Sequence, residues 1–288
     1  MAYSHLVCPL DGAPLTTVAG SLHCANGHQF DIGKPGYVNL LPVQAKRSRA
    51  PGDSKAMIDA RHAFLNSGAY DGISAALNQR LLATVDAPAN VLDAGCGEGF
   101  YLKRLVTALG AQAGDCYGID ISRDAIRRAA RGNDAATRHG QWLVANNTCP
   151  CVTPSHVDHL LCLFGFPAWP AFAAVLKPGG RVWLVESGRD HLRELRAVLY
   201  ADVRDKPLPS LDDAERAGVV LQDHACLCRQ TVTLNREQLG NLLVMTPHFY
   251  RAPKEGRDRA LALDGLQVTV DVSLRVLATA SGGAAGKA

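Results

Sequence analysis

A glycine-rich turn after a strand-like run constrains this chain more than any other feature. Residues 91–101 read VLDAGCGEGFY, so an apolar run ends at Asp93 and glycines follow at alternate positions, Gly95, Gly97 and Gly99. Such a turn lets backbone N–H groups approach a ligand, and the following LKRLVTAL predicts a helix whose N-terminus faces the same point. The spacing differs from the G-x-G-x-x-G pattern of dinucleotide-binding loops. The sequence therefore predicts a nucleotide-cofactor loop of another kind.

A second acidic residue supports this interpretation. The strand-like run CYGIDIS places Asp120 about 20 residues beyond the last glycine, the separation at which an acid meets a ribose hydroxyl. Asp120 could instead cap a helix that starts near Arg123, a role that Ser122 fills equally well. The order Asp-x-Gly-x-Gly-x-Gly resembles motif I of class I S-adenosylmethionine-dependent methyltransferases. This resemblance implies a cofactor site that includes Asp93, Gly95, Gly97, Gly99 and Asp120.

Composition is typical of a large soluble enzyme. The chain has 288 residues, of which 47% are hydrophobic, enough for one large domain and a small one. No run has the apolar length of a membrane span, and the N-terminus MAYSHLVCPL lacks the pattern of a signal peptide, so we expect a cytoplasmic protein without membrane contact. Nine scattered cysteines indicate buried thiols in a reducing compartment. The net charge of only +3 means that attraction to nucleic acid must come from local basic patches.

Two short knuckles near the N-terminus have the layout of a zinc ribbon. Cys8 and Asp11 form the first pair and Cys24 and His28 the second. In such sites the metal replaces the hydrophobic core that a short segment cannot build. Asp11 stands where a thiolate is expected, so the sequence leaves two interpretations open: a zinc site with Asp11 as a ligand, or a ribbon that has lost its metal. His5 and His23 could substitute, but nothing in the pattern favours them.

Two basic segments could meet phosphate groups. In QAKRSRAPGDS, Lys46, Arg47 and Arg49 lie close together beside a Pro-Gly pair, which predicts a loop between domains. Its charge density and its position next to the ribbon favour contact with an RNA backbone. A second basic run, 123–131, lies on the helix expected after Asp120, and for this run we favour a solvated face.

The order of elements predicts an α/β fold with a doubly wound, mostly parallel sheet. Strand-like runs alternate with helical patterns, and two late β-rich stretches predict an antiparallel pair. The predicted strands are 90–94, 116–120, 141–145, 157–164, 181–187, 219–234 and 266–279, and the predicted helices are 98–109, 123–131, 168–175 and 190–201. The predicted division of the chain is a ribbon-like RNA-binding domain at 1–40, a basic linker and helix at 41–84, the sheet domain at 85–280 and a flexible tail at 281–288.

Together these segments resemble one family, the RlmA-type methyltransferases that act on guanine N1 in a hairpin loop of 23S rRNA. The resemblance covers most of the chain. It includes the ribbon and the runs HQFDIGKPGYVNLLPVQAKRSRAPGDS, ARHAFLNSGAYDGI, DAGCGEGFY, LKPGGRVWLV and GRDHLRELRAVLY. It implies the cofactors S-adenosylmethionine and Zn²⁺ and the partner 23S rRNA, and it leaves a homodimer open.

The resemblance also implies further cofactor contacts, at Tyr70, Glu98 and His191. The third cofactor motif, VANNTCPCVTPSHVD, is one residue short of the family pattern, so the adenine contact falls to Asn146 or to backbone. No general base is assigned, although Glu186 and Asp53 are candidates by position. Two other functions are considered: a small-molecule methyltransferase, and a noncatalytic RNA-binding module that retains the fold.

Overall fold

The computed structural model describes residues 3–45, 51–132, 140–203 and 207–280. The predicted RNA-binding residues Lys46, Arg47 and Arg49 lie outside the described residues, as does the predicted tail at 281–288. Within the described ranges, no helix is both long and apolar enough to span a membrane.

The described strands form one sheet with the order β1-β2-β3-β4-β7-β6-β5-β8-β9-β11-β10. The bounds of these strands, in chain order, are Thr16–Val18 (β1), Ser21–His23 (β2), Gln29–Gly33 (β3), Tyr37–Asn39 (β4), Ala89–Ala94 (β5), Ala113–Asp120 (β6), Gly140–Val144 (β7), Val157–Leu163 (β8), Leu176–Ser187 (β9), Val219–Asn235 (β10) and Gly265–Thr279 (β11).

Helices cover both faces of this sheet. Their bounds, in chain order, are Lys55–Leu65 (α1), Asp71–Leu82 (α2), Phe100–Leu109 (α3), Arg123–Arg131 (α4), Trp169–Val175 (α5), Arg193–Leu199 (α6), Asp212–Arg216 (α7), Arg236–Met245 (α8), Pro247–Arg251 (α9) and Lys254–Leu261 (α10). Short 3-10 helices also occur at Val43–Ala45 and Gly110–Gln112.

The centre of the sheet confirms the predicted parallel architecture. Strands β4, β7, β6, β5, β8 and β9 pair in parallel, and β11 inserts antiparallel between β9 and β10, as the two late β-rich stretches predicted. In this register Asp93 on β5 lies beside Gly118 on β6, and Asp120 lies beside Val144 on β7. Because parallel strands end at the same edge, the polar residues that follow them meet in one crevice.

Side chains on both faces of the central strands are buried, which explains the continuous apolar runs in the sequence. Val91 packs against the face covered by α2, α3 and α8, whereas its neighbour Leu92 packs against the opposite face. The second face is covered by α5 and α7 and by the N-terminal ribbon, which contributes Leu6 and Leu22. Strands buried on two faces have no need of alternating polar residues.

The ribbon is continuous with the main sheet, a connection that the sequence pattern does not reveal. Strands β1 to β4 are antiparallel, and β4 then pairs in parallel with β7, placing Val38 beside Leu143. The backbone N–H of Leu40 extends this pairing by donating to the Val144 carbonyl at 2.9 Å. The first part of the chain is thus the edge of the same sheet, and the sheet continues across residue 40. The predicted division near residue 40 remains a proposal about the function of the two parts.

The helix ends differ from the predicted ones for local backbone reasons. The helix predicted from residue 98 begins at Phe100, because Gly97 and Gly99 have φ angles of 57° and 80°, outside the helical region. The helix predicted at 190–201 begins at Arg193 after a left-handed Leu192. Helices α7 to α10 were not predicted, and of these α8 carries a full capping box formed by its N-cap Asn235.

Candidate active site

The glycine turn after β5 is bonded directly to the neighbouring strand β6. The N–H groups of Gly95 and Cys96 both donate to the Ile119 carbonyl at 2.9 Å, and the N–H of Gly97 donates to the Asp120 carboxylate at 2.9 Å. The other oxygen of Asp120 accepts the N–H of Ser122 at 2.7 Å. Asp120 therefore holds the loop and the start of α4 together, and it retains lone pairs that can accept ribose hydroxyls.

The third glycine of the motif accommodates the core. A Cβ on Gly99 would lie 2.4 Å from the Trp142 ring. The backbone N–H of Gly99 donates to the Cys96 carbonyl at 2.9 Å. By contrast, a Cβ on Gly95 would meet nothing within 4 Å, and one on Gly97 would come no closer than 3.6 Å, to Arg61. Gly95 and Gly97 thus leave room for a ligand, whereas Gly99 allows α3 to pack over β7.

Two carboxyl groups lie side by side in this crevice with little solvent around them. Burial, together with the nearby Asp120, raises the pKa of Asp93 to about 8. Burial also raises the pKa of Asp120, although hydrogen bonds from Ser122 and Gly97 oppose the shift. Two buried carboxyl groups repel each other when both are ionised, and a cationic ligand relieves that repulsion. The pair is therefore suited to a ligand that carries positive charge.

Tyr70 and His191, which are far apart in the sequence, form a buried pair. The Tyr70 hydroxyl lies 3.2 Å from His191 Nε2, and the backbone N–H of Asp271 donates to His191 Nδ1 at 3.3 Å. Because Nδ1 accepts, a neutral imidazole carries its proton on Nε2 and donates it to the tyrosine oxygen. The Tyr70 hydroxyl proton is then available to a ligand.

Sequence reasoning missed Tyr101 in the same crevice. Its hydroxyl is buried and has no hydrogen-bond partner within the described ranges, and both Tyr70 and Asp93 act electrostatically upon it. Burial raises the pKa of this hydroxyl, so it stays protonated. A buried hydroxyl without a partner is costly, and a polar ligand would satisfy it. This orphaned donor beside the carboxyl pair fits the amino acid end of S-adenosylmethionine, which carries an ammonium and a carboxylate.

Arg61 on α1 is a second residue that the sequence pattern did not single out. It pairs with Asp53 and lies over Gly97, and its charge acts on Asp120. Asp53, a positional candidate for the general base, is thus held by a guanidinium group. Glu186, the other such candidate, is bonded to Arg275 at 2.6 Å. Neither carboxylate is positioned as an available base, and the general base stays unassigned.

Two further predicted contacts have other partners here. Glu98 is buried and accepts from His62 Nδ1 at 2.9 Å, at the edge of a cleft between α1 and α4. Asn146 follows β7, where its side-chain oxygen accepts the Thr148 N–H at 3.1 Å and closes a turn. The roles of Glu98 and Asn146 as cofactor contacts therefore remain predictions, with Asn146 at the correct edge of the sheet.

The loop after β8 carries two aromatic residues, of which Phe164 contacts the crevice. Phe164 has a left-handed φ of 53°, and its ring stacks on His191 with 6.1 Å between centroids. Phe166, two residues further on, is 88% exposed. The predicted strand run gave no sign of this exposed aromatic residue, because its letters continue the apolar pattern.

In the ribbon, the four predicted ligands converge. His28 Nδ1 lies 3.4 Å from Cys8 Sγ, 3.3 Å from Cys24 Sγ and 3.0 Å from Asp11 Oδ2. The ligand atoms of all four residues lie within 4.8 Å of one another, which fits the tetrahedral donor set that Zn²⁺ prefers. The residues that would hold zinc are thus Cys8, Asp11, Cys24 and His28.

The two alternative histidines do not join this cluster. His23 bonds to Ser21 at 2.9 Å, and His5 bonds to Asp115 at 2.7 Å. The Asp11 carboxylate, by contrast, is fixed with one oxygen toward His28, because its second oxygen accepts the Ala13 N–H at 2.9 Å. The geometry favours Asp11 over either histidine as the fourth ligand.

Comparisons with known proteins agree with both parts of the molecule. Residues 6–49 match a zinc-ribbon family model described as RlmA, N-terminal, and residues 67–223 match one described as a methyltransferase domain. A Streptomyces fradiae protein named 23S rRNA (guanine(748)-N(1))-methyltransferase is 32% identical over 94% of this chain and 96% of its own length.

Two further relatives carry the same kind of name, assigned provisionally. A Micromonospora griseorubida protein is 35% identical over 66% of this chain and 68% of its own length. The Bacillus subtilis protein YxjB is 28% identical over 95% of this chain and 97% of its own length.

The parallel sheet, the glycine turn and the paired carboxyl groups define an S-adenosylmethionine-dependent methyltransferase of class I, with a zinc ribbon at its N-terminus. Similarity over nearly the whole chain then identifies the family. The chain belongs to the RlmA-type 23S rRNA (guanine-N1)-methyltransferases.

Proposed function

We propose that this enzyme transfers the methyl group of S-adenosylmethionine to N1 of a guanine in a hairpin loop of 23S rRNA. The observation that carries the proposal is the crevice in which Asp93, Asp120, Tyr70 and Tyr101 meet beside the glycine turn. The convergent ribbon and the full-length similarity to a 23S rRNA methyltransferase support the choice of RNA as substrate.

Each residue of the crevice has a defined task in this proposal. Asp93 would accept the methionine ammonium, and Asp120 the ribose hydroxyls. Tyr70 and Tyr101 would donate to the methionine carboxylate. S-adenosylmethionine supplies an activated methyl group with a good leaving group when bound. The remaining work of the protein is to align guanine N1 with that group, exclude water and let the N1 proton depart.

The pKa of Asp93 gives the cofactor affinity a definite pH dependence. Because the pKa of about 8 lies above the ordinary value, apo protein at neutral pH holds a proton that a cationic ligand displaces. We expect the affinity to rise between about pH 6 and about pH 8, and Asp93→Asn to flatten that profile. Calorimetric titrations across this range measure it, and a pH-independent affinity in the parent protein would contradict it.

The raised pKa of Asp93 makes the stability of the apo protein change with pH in the opposite direction to the cofactor affinity. The folded apo protein retains a proton on Asp93 that the unfolded chain releases above about pH 4, so the free energy of unfolding should fall as the pH rises from about 4 to about 8. Bound cofactor should reverse this loss, because it favours the ionised carboxylate.

A basic cleft beside the cofactor loop is a suitable path for the RNA backbone. Its volume is about 620 Å³, and α1, α3 and α4 form its walls. Cationic side chains outnumber carboxylates among the lining residues, which include Lys55, Lys103, Arg104, Arg127, Arg128 and Arg131 against Asp59, Glu98 and Asp124. The expectation that α4 presents a solvated face stays a prediction. We propose that α4 also contacts phosphate, together with Lys46, Arg47 and Arg49, which precede α1 in the chain.

Removing the predicted loop charges should weaken RNA binding and leave the cofactor site intact. For the triple variant Lys46→Ala, Arg47→Ala, Arg49→Ala, we expect the slope of log affinity against log salt to decrease by about 2 to 3, because each phosphate contact releases about one counterion. Titrations of an rRNA hairpin at several salt concentrations measure this slope. Arg216→Ala, on α7 outside the cleft, is the control. An unchanged slope in the triple variant would rule out these contacts.

The reaction itself is tested on RNA. Methylation at N1 blocks the Watson-Crick edge of guanine, so reverse transcriptase should stop at the modified base. We expect a new stop when unmodified 23S rRNA is incubated with enzyme and cofactor, and loss of that stop in rRNA from a deletion strain. If neither change occurs while the cofactor binds, the substrate assignment is wrong.

The small-molecule alternative requires a different test from simple truncation. Deleting the first 50 residues would remove β1 to β4, including the core residues Leu22 and Val38, and would expose the edge of β7 and the buried side chains of Tyr117 and Leu143. The salt dependence above separates the alternatives without damaging the fold. We further propose a cytoplasmic enzyme. Whether it forms a homodimer is left open, and sedimentation of the purified protein decides it.

A further inference from the structure

A second group of metal-ligand side chains lies at the opposite end of the sheet from the cofactor crevice. His5, Asp115 and His156 come from the N-terminal segment, the start of β6 and the loop before β8. Asp115 Oδ2 lies 2.7 Å from His5 Nδ1 and 3.1 Å from His156 Nε2, and the three ligand atoms lie within 4.8 Å of one another. The two imidazole rings are stacked with 4.0 Å between centroids, and one nitrogen of each ring contacts the same Asp115 oxygen.

We propose that His5, Asp115 and His156 bind a divalent transition-metal ion of the Zn²⁺ class. Two imidazoles and one carboxylate suit Zn²⁺, Fe²⁺ or Co²⁺, whereas Mg²⁺ and Ca²⁺ prefer oxygen ligands only.

The surrounding residues hold these ligands in place. Asn90 accepts the Asp115 N–H at 2.9 Å and donates from its amide to the His156 carbonyl at 2.9 Å. The other oxygen of Asp115 accepts from the Ser4 hydroxyl at 2.9 Å. Such outer contacts orient the ligands of metal sites.

The backbone of His5 has an unusual conformation and is fixed to the loop before β8. His5 has a left-handed φ of 53°, and its carbonyl accepts the Thr153 N–H at 2.9 Å. The next residue, Leu6, forms a bridge with Val152. His5 is thus held in a less favoured backbone conformation while its ring contacts Asp115. A metal here would fasten the segment that leads into the ribbon, three residues before Cys8, to the main sheet.

The test uses full-length protein with its ribbon zinc in place, titrated with Co²⁺ as the probe. We expect one added equivalent, with visible absorption but without the charge-transfer band of a cobalt–thiolate bond, and a higher melting temperature. His156→Gln should lose that equivalent, and His5→Gln provides the same test if His156→Gln does not fold. His224→Gln, a histidine on β10 bonded to Ser273, is the matched control and should keep it.

Three outcomes would overturn the proposal. The parent protein could take up no added cobalt. The bound cobalt could show thiolate charge transfer, which would place it on cysteines. Uptake could also be the same in the parent, the His5 variant and the His156 variant. Because the readout is metal content, the result is independent of the methyltransferase activity.

Discussion

Replacing Gly97 with valine is expected to reduce the affinity for S-adenosylmethionine by about 100-fold or more, equal to about 2.7 kcal/mol. Gly97 has a φ of 57°, and the direction of its missing side chain is open except for Arg61 at 3.6 Å. A branched side chain there would occupy the space through which the loop backbone approaches the ligand. Calorimetric titration of the folded variant measures the loss.

Gly110 offers a matched control for the backbone cost. It also has a positive φ, 55°, a Cβ added to it would meet nothing within 4 Å, and it lies at the far end of α3. Gly110→Val places the same branched side chain at another positive φ, away from the crevice, and the folded variant should bind the cofactor as the parent does. A folded Gly97→Val protein that titrates like Gly110→Val would show that the loop does not approach the ligand.

Replacing Gly99 with alanine is expected to destabilise the apo protein by about 2–5 kcal/mol, through overpacking and left-handed strain combined. The added methyl group would lie 2.4 Å from the Trp142 ring, which is itself buried against Gly118 and cannot withdraw without disturbing that contact. Urea denaturation of the apo protein measures the free energy of unfolding.

The first glycine of the motif separates the two causes of this loss. Gly95 has a φ of 86° and open space around it, so Gly95→Ala should show only the backbone part, about 1–2 kcal/mol. Equal losses of stability in Gly95→Ala and Gly99→Ala would mean that Trp142 yields to the extra atom, and the packing role of Gly99 would be incorrect.

The sequence predicted those features that local chemistry determines. Positive φ angles at Gly95, Gly97 and Gly99 and the bond from Gly97 to Asp120 agree with a tight loop beside a second acidic strand end. The order of strands β5 to β11 and of helices α3 to α6 followed from apolar runs separated by turns. The predicted ligand set of the ribbon came from the spacing of its two knuckles, and the structure brings these four side chains together.

Features that depend on distant partners could not be predicted in this way. Tyr101 reads as an apolar helix residue, and only the packing around it shows that its hydroxyl is orphaned. Glu98 lies in the glycine motif, yet its carboxylate is directed to His62 on α1. The pairing of β4 with β7 joins segments about 100 residues apart, and short strands carry no local sign of a parallel partner.

The pairing of β4 with β7 fixes the distance between the ribbon and the cofactor crevice. Main-chain hydrogen bonds connect the ribbon to the strand that ends beside Asp120, so the ribbon cannot swing away from the crevice unless those bonds break. An RNA loop that touches the ribbon and offers a base to the crevice must therefore span a constant distance. Under the proposed function, the choice of guanine is made partly by the shape of the loop that carries it, and a lengthened or shortened hairpin would present the wrong nucleotide.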